Sequence, residues 1–201
     1  MQHSVDARYR PLQALELSEL IARAGAAAKE RPSNLETMLQ CWAEATARHA
    51  PLGKMMALQA LFERVKIPKP ERFASRSVTP ADWFLDAYAA ARSLPKGRAT
   101  RGTYQVYVLL LRGVPGSPDD LGLYVGESHL DGAARLAQHL AGINHARVVQ
   151  RFGIAALPSF CPQLTKLSRK DSRRLEAELA ARLKDVMRRY RLSDVHVQGG
   201  H

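Results

Sequence analysis

Tyr104-Gln-Val-Tyr-Val-Leu-Leu-Leu111 and Leu121-Gly-Leu-Tyr-Val-Gly126 decide how the second half of this 201-residue chain folds. Both are rich in β-branched, aromatic and apolar residues, which fill a pleated, buried surface. Gly113-Val-Pro-Gly-Ser-Pro-Asp-Asp120 lies between them and is turn chemistry. The two stretches therefore predict an antiparallel hairpin whose tyrosines, Tyr107 and Tyr124, can face one side. Beyond the hairpin the sequence predicts a helix from about Asp131 to Ala141, a short helix over His145 to Phe152 and a third strand over Ile154 to Phe160. Ser168-Arg-Lys-Asp171 has the form of a capping box and opens a long helix to about Arg191. Val195-His-Val197 reads as a short terminal strand.

Upstream of the hairpin the period is helical. Leu15, Leu17, Leu20, Ile21 and Ala24 recur at three- and four-residue spacing within Leu12 to Lys29. Pro32-Ser33-Asn34 breaks that pattern and supplies a cap for a second helix with the stripe Leu35, Met38, Leu39 and Trp42. After Pro51 a third stripe follows: Met55, Leu58, Leu61, Phe62 and Val65. Thr79-Pro80 opens a fourth helix with Trp83, Phe84, Ala87 and Tyr88 on its apolar face. The tryptophans and methionines here read as core. Pro95, Gly97 and Gly102 mark a linker, so the sequence divides into a helical domain, residues 1–98, and a mixed α+β domain, residues 99–201.

Apolar residues make up 46% and charged residues 24% of the chain, ordinary values for a globular protein with a core. The formal net charge is +11. Such an excess favours a polyanionic partner, because each phosphate neutralised releases counterions. Residues 166–191 concentrate it, with ten Lys plus Arg against four Asp plus Glu. Arg101, Arg151, Lys170, Arg173 and Arg174 are the candidate nucleic-acid contacts. The bland alternative is a solvated basic face. The two cysteines, Cys41 and Cys161, form no zinc-ligand pattern and read as reduced thiols. The longest apolar run, Val106 to Leu111, cannot span a bilayer, and Met1 to Pro11 lacks a signal-peptide core. These features lead to the expectation of a cytoplasmic protein with no membrane partner.

Several side chains could converge into a phosphodiesterase site. Tyr107 and Tyr124 lie on the hairpin. Arg135 and His139 are four apart and share a helix face. His145 follows, and Glu176 sits near the start of the basic helix. A carboxylate can hold a divalent cation, an arginine can stabilise transition-state charge, and a phenol or imidazole can position or deprotonate water. Each also has a structural reading: strand core for the tyrosines, a surface role for Arg135, packing for the histidines, an ion pair for Glu176 or Glu178.

The order of these residues resembles the GIY-YIG nuclease superfamily. Gln105-Val-Tyr107 stands in place of GIY and Tyr124-Val-Gly126 in place of YIG. Arg135-Leu-Ala-Gln-His139 is similar to the Arg-x-x-x-His of restriction and homing members. Asn144 to Gly153 resembles the histidine-led short helix that follows in phage homing enzymes, and Leu175-Glu-Ala-Glu-Leu179 resembles the metal-binding helix start. The resemblance covers about residues 104–198. It implies a small three-stranded antiparallel sheet flanked by helices, and an endonuclease cutting DNA ahead of RNA. It also implies Glu176 as the single protein ligand of Mg²⁺ or Mn²⁺, Arg135 on the scissile phosphate, and His139 orienting water or a tyrosine. One of the two tyrosines would act as or assist the general base, and Gly126 would let the chain turn tightly. Three positions depart from the pattern: Gln105 replaces a glycine, Glu127 stands where repair members carry lysine, and an asparagine near the domain's end is missing. The alternative is a catalytically weak or inactive domain that binds nucleic acid or protein. A protein partner for the helical domain and the oligomeric state are left open by the sequence.

Overall fold

The structure, a computed structural model, describes residues 9–65, 81–96, 102–113, 121–190 and 195–197. The chain forms two compact units. Their division falls between Ala89 and Ala90, not at residue 98 as the linker chemistry predicts. The reason is local: Gln163 donates from Nε2 to the Ala91 carbonyl and accepts from Arg92 at 3.3 Å, which ties the end of that helix to the second unit. The Thr79-Pro80 cap lies outside the described residues.

The first unit holds α1 (Leu17–Lys29), α2 (Leu35–Ala47), α3 (Leu52–Arg64) and most of α4 (Ala81–Arg92). Helix α1 starts five residues later than the apolar period predicts. Glu16 caps it reciprocally with Glu19, and the preceding Leu12 to Leu15 segment forms turns. Those turns leave backbone carbonyls that Arg48 collects: its guanidinium donates to Leu12, Gln13 and Leu15. Asn34 caps α2 by accepting from the Thr37 N–H at 3.1 Å. Leu20, Ala24, Cys41, Trp42 and Leu58 form the core of α1, α2 and α3. Inside this unit the buried Glu44 carboxylate is answered twice, by Arg10 at 2.7 Å and by Arg48 at 2.6 Å.

The second unit is α+β. Strands β1 (Gln105–Arg112), β2 (Leu121–Ser128), β3 (Gly153–Ala156) and β4 (Val195–Val197) form one sheet in the order β3-β1-β2-β4. The three antiparallel strands expected from the sequence are present. The sheet also has a fourth strand, β4, that pairs parallel with β2. Strand β3 stops at Ala156, where Pro158 and the turn to Phe160 end the ladder. The helices are α5 (Gly132–Leu140), α6 (Arg147–Phe152) and α7 (Arg169–Arg189). Asp131 caps α5, and Ser168 caps α7 as its sequence predicts.

Strand alternation sorts the core. Tyr107, Leu109, Leu111 and Tyr124 share one face and pack with Val149, Leu136 and Phe152 of α5 and α6. Val106, Val108, Leu110, Leu123 and Val125, on the other face, are buried as well. Helix α7 packs against β1, β2 and β4 with Leu175, Leu179, Leu183 and Met187 buried at four-residue intervals. Truncating one such leucine to Ala would cost about 2–5 kcal/mol. Cys41 in the first unit and Cys161 in the second are both buried free thiols. Among the described residues no helix is long and apolar enough to cross a membrane.

Candidate active site

The register sets Tyr107 directly across from Gly126, and Leu109 across from Tyr124. The two tyrosines are therefore diagonal neighbours on one face, with ring centroids 6.2 Å apart. Gly126 lies inside β2 and makes no turn, contrary to the expectation for it. Its role is space. A Cβ built there would stand 2.5 Å from the Tyr107 hydroxyl oxygen, closer than such atoms approach. Only glycine lets the phenol occupy that position.

Helix α5 brings up Arg135 and His139, four residues apart and both buried. His139 is fully enclosed, and its Nδ1 accepts the Ala146 N–H at 2.9 Å. The neutral ring therefore carries its proton on Nε2, 3.3 Å from the Tyr107 hydroxyl, and donates it there. Burial, then the charges of Arg135 and His145, push the His139 pKa down to about 4. Arg135 is fixed by two acceptors, Gln138 Oε1 at 2.8 Å and the Asn144 carbonyl at 2.7 Å. Asn144 adopts a left-handed backbone, φ 42°, a conformation asparagine tolerates better than most residues. Arg135 and Tyr124 also lie near enough to Tyr107 to favour its ionised form. Burial still outweighs them, and the Tyr107 pKa is pushed up to about 12. Burial also raises Tyr124, helped by the neighbouring Tyr107 and Glu176.

Glu176 comes from α7. It is 6% exposed, and no hydrogen bond or ion pair reaches its carboxylate among the described residues. Burial first, and the Glu127 charge second, push its pKa up to about 7, against the pull of Arg173. Glu178 is different: half-exposed, it pairs with Arg182 at 2.8 Å and Arg174 at 3.5 Å on the outer face of α7. The structure thus brings together Tyr107, Tyr124, Arg135, His139 and Glu176.

His145 stands apart. It is exposed, with Nδ1 2.9 Å from the Gly142 carbonyl, and reaches the cluster only through its charge on His139. Of the expected phosphate contacts, Arg173 is exposed and lies close enough to act on Glu176. Lys170 is exposed, Arg174 is engaged by Asp171 and Glu178, and Arg151 lies over the Phe152 ring. Arg101 is outside the described residues. Sequence reasoning missed the supports: Gln138 and Asn144 on Arg135, the Ala146 N–H on His139, and Ser172, whose hydroxyl lies 3.1 Å from Glu127. Only Gln138, three residues after Arg135, carried a local signal for its contact.

Among the described residues no group of three or more His, Cys, Asp or Glu side chains is placed to hold a metal ion. A buried carboxylate with no partner is a different kind of site. It fits a hard cation of the Mg²⁺ type, which is held by one or two carboxylates and completes its shell with water and phosphate oxygens. No protein-family model matches the chain, and no curated protein or solved structure matches it.

Proposed function

We propose that the second unit is a GIY-YIG-type endonuclease domain that hydrolyses phosphodiester bonds of nucleic acid, DNA ahead of RNA. The observation that carries this reading is the buried, unpartnered Glu176 within electrostatic reach of a tyrosine pair backed by Arg135 and a neutral histidine. Glu176 would hold Mg²⁺ or Mn²⁺. Such an ion, when bound, polarises a phosphate oxygen and stabilises the leaving oxygen. The chain's own groups do the rest. Arg135, held by Gln138 and Asn144, presents its remaining N–H groups to the phosphate without having to reorganise. His139 donates to Tyr107 from Nε2, and Arg135 and Tyr124 favour the ionised form of the same phenol. These contacts stabilise the phenolate form of Tyr107, which can take a proton from the attacking water and return to the neutral phenol. The excess of basic residues supports a phosphate-bearing substrate.

Plasmid nicking with Mg²⁺ or Mn²⁺ tests the reading. The wild type is expected to nick or linearise the plasmid and Glu176→Ala to lose that activity. Cleavage that persists in the variant overturns the assignment of Glu176. The near-complete burial of Tyr107 and Tyr124 favours a second reading, a nucleic-acid- or protein-binding module without catalysis. Binding of DNA or RNA with no cleavage of any substrate tried would establish it.

A further inference from the structure

Glu127 follows Gly126 on β2 and is half-buried. Its Oε2 lies 3.1 Å from the Ser172 hydroxyl, and that hydroxyl has one proton for two acceptors, since the Arg169 carbonyl is 3.0 Å away. Ser172 and Glu176 are four apart on α7, both buried, so they share its inner face. The hydrogen bond to Ser172 therefore holds the Glu127 carboxylate against the same face of α7 that carries Glu176. Among the described residues no arginine or lysine forms an ion pair with either. Glu127 has a share of one hydroxyl, and Glu176 has no hydrogen-bond donor, only the nearby charge of the exposed Arg173. The Glu176 oxygens are not sealed from solvent, so two little-compensated carboxylates on neighbouring elements stand open to a ligand. The first turn of α7 accounts for Glu127 in part, because a helix N-terminus favours an anion. It does not account for Glu176, which lies further along the helix and lacks any donor.

We propose that Glu127 is a second carboxylate ligand of the divalent cation held by Glu176, so that β2 and α7 each contribute one glutamate. This rests on the reading of Glu176 as the metal-binding residue and adds to it. The Ser172 hydroxyl then orients Glu127 as a supporting hydrogen-bond partner. Two carboxylates and retained waters are within the ordinary range for Mg²⁺. The residue that departs from the lysine of repair nucleases becomes part of the metal site.

The test is Mn²⁺ binding to the full chain, followed by loss of the free-ion paramagnetic resonance signal. Tb³⁺ luminescence lifetimes in H₂O against D₂O then count the water on the metal. Ser172→Ala is expected to weaken Mn²⁺ binding by roughly tenfold, the lower end for a supporting partner. Glu127→Ala is expected to weaken it further and to add bound water to Tb³⁺. Unchanged affinity in Glu127→Ala overturns the proposal. So does weakened affinity with an unchanged water count, because Glu127 would then act only as a distant charge. In either case loss of Mn²⁺ binding in Glu176→Ala leaves the reading of Glu176 standing. Wild-type affinity in Glu176→Ala overturns that reading instead. Should Glu127→Ala unfold, Ser172→Ala decides, and unchanged affinity there overturns the proposal.

Discussion

Glu44 in the first unit and Glu176 in the second are both buried, and they are treated in opposite ways. Glu44, 1% exposed, receives Arg10 and Arg48, and Arg48 in turn collects backbone carbonyls of the preceding turns. Glu176, 6% exposed, receives no donor at all among the described residues. The first is a closed account of charge and hydrogen bonds that fixes one packing of helices. The second is an open valence. The difference separates a carboxylate that two arginines complete from one that no donor among the described residues completes.

The largest expected effect comes from Glu176→Gln. On the proposed reading, loss of the cation-holding charge should lower plasmid nicking by on the order of 10³-fold or more, since metal stabilisation of transition-state charge contributes several kcal/mol. Thermal unfolding should be unchanged or shifted upward, because a lone buried charge has been removed. A large drop in Tm would break the comparison. Glu44→Gln should do the reverse. It leaves two guanidinium groups short of their carboxylate and should cost about 3 kcal/mol, at the low end for breaking a buried pair because both arginines are partly exposed. Chemical denaturation would show it, with nicking by the folded protein unaltered.

Acid offers a third way to part the two units. His139 titrates near 6.5 in the unfolded chain and at about 4 in the folded one. Below pH 6.5 the unfolded chain takes up the proton and the folded chain does not. Stability of the second unit is therefore full above pH 6.5 and lost progressively down to pH 4, by up to about 3 kcal/mol. Both tryptophans, Trp42 and Trp83, lie in the first unit. Far-UV circular dichroism should then change before tryptophan fluorescence as pH falls, and coincident transitions would count against the assignment to His139. The smallest effect is geometric. Gly126→Ala forces the Tyr107 hydroxyl to move, and a displacement of that order should lower nicking by about 10²-fold. Wild-type activity in this variant would mean that Tyr107 does not need its present position.

The hairpin, α5 and the capped start of α7 were legible because their signals are local: alternation, four-residue spacing and side-chain caps within a few residues. The same locality explains Arg135 beside His139 and Tyr107 diagonal to Tyr124. What could not be read joins distant segments. Nothing in Val195-His-Val197 specifies parallel pairing with β2, which is a long-range choice of partner. The link from Arg135 to the Asn144 carbonyl depends on one left-handed residue. The approach of Glu127 to Ser172 joins residues 45 apart. The delayed start of α1 has a like cause, since Arg48, just past the end of α2, satisfies carbonyls that would otherwise favour a longer helix.

The two buried thiols give each unit its own chemical clock. Cys41 is fully enclosed, and burial pushes its pKa up to about 11, so little reactive thiolate forms in the folded first unit. Cys161 lies against the Val106 carbonyl in the second, 3.2 Å from Sγ to oxygen. An alkylating reagent reaches either only when its own unit opens. Because the two cysteines fall in different proteolytic peptides, mass spectrometry of a labelling time course would record the opening of each half separately, in one sample and without any engineered probe.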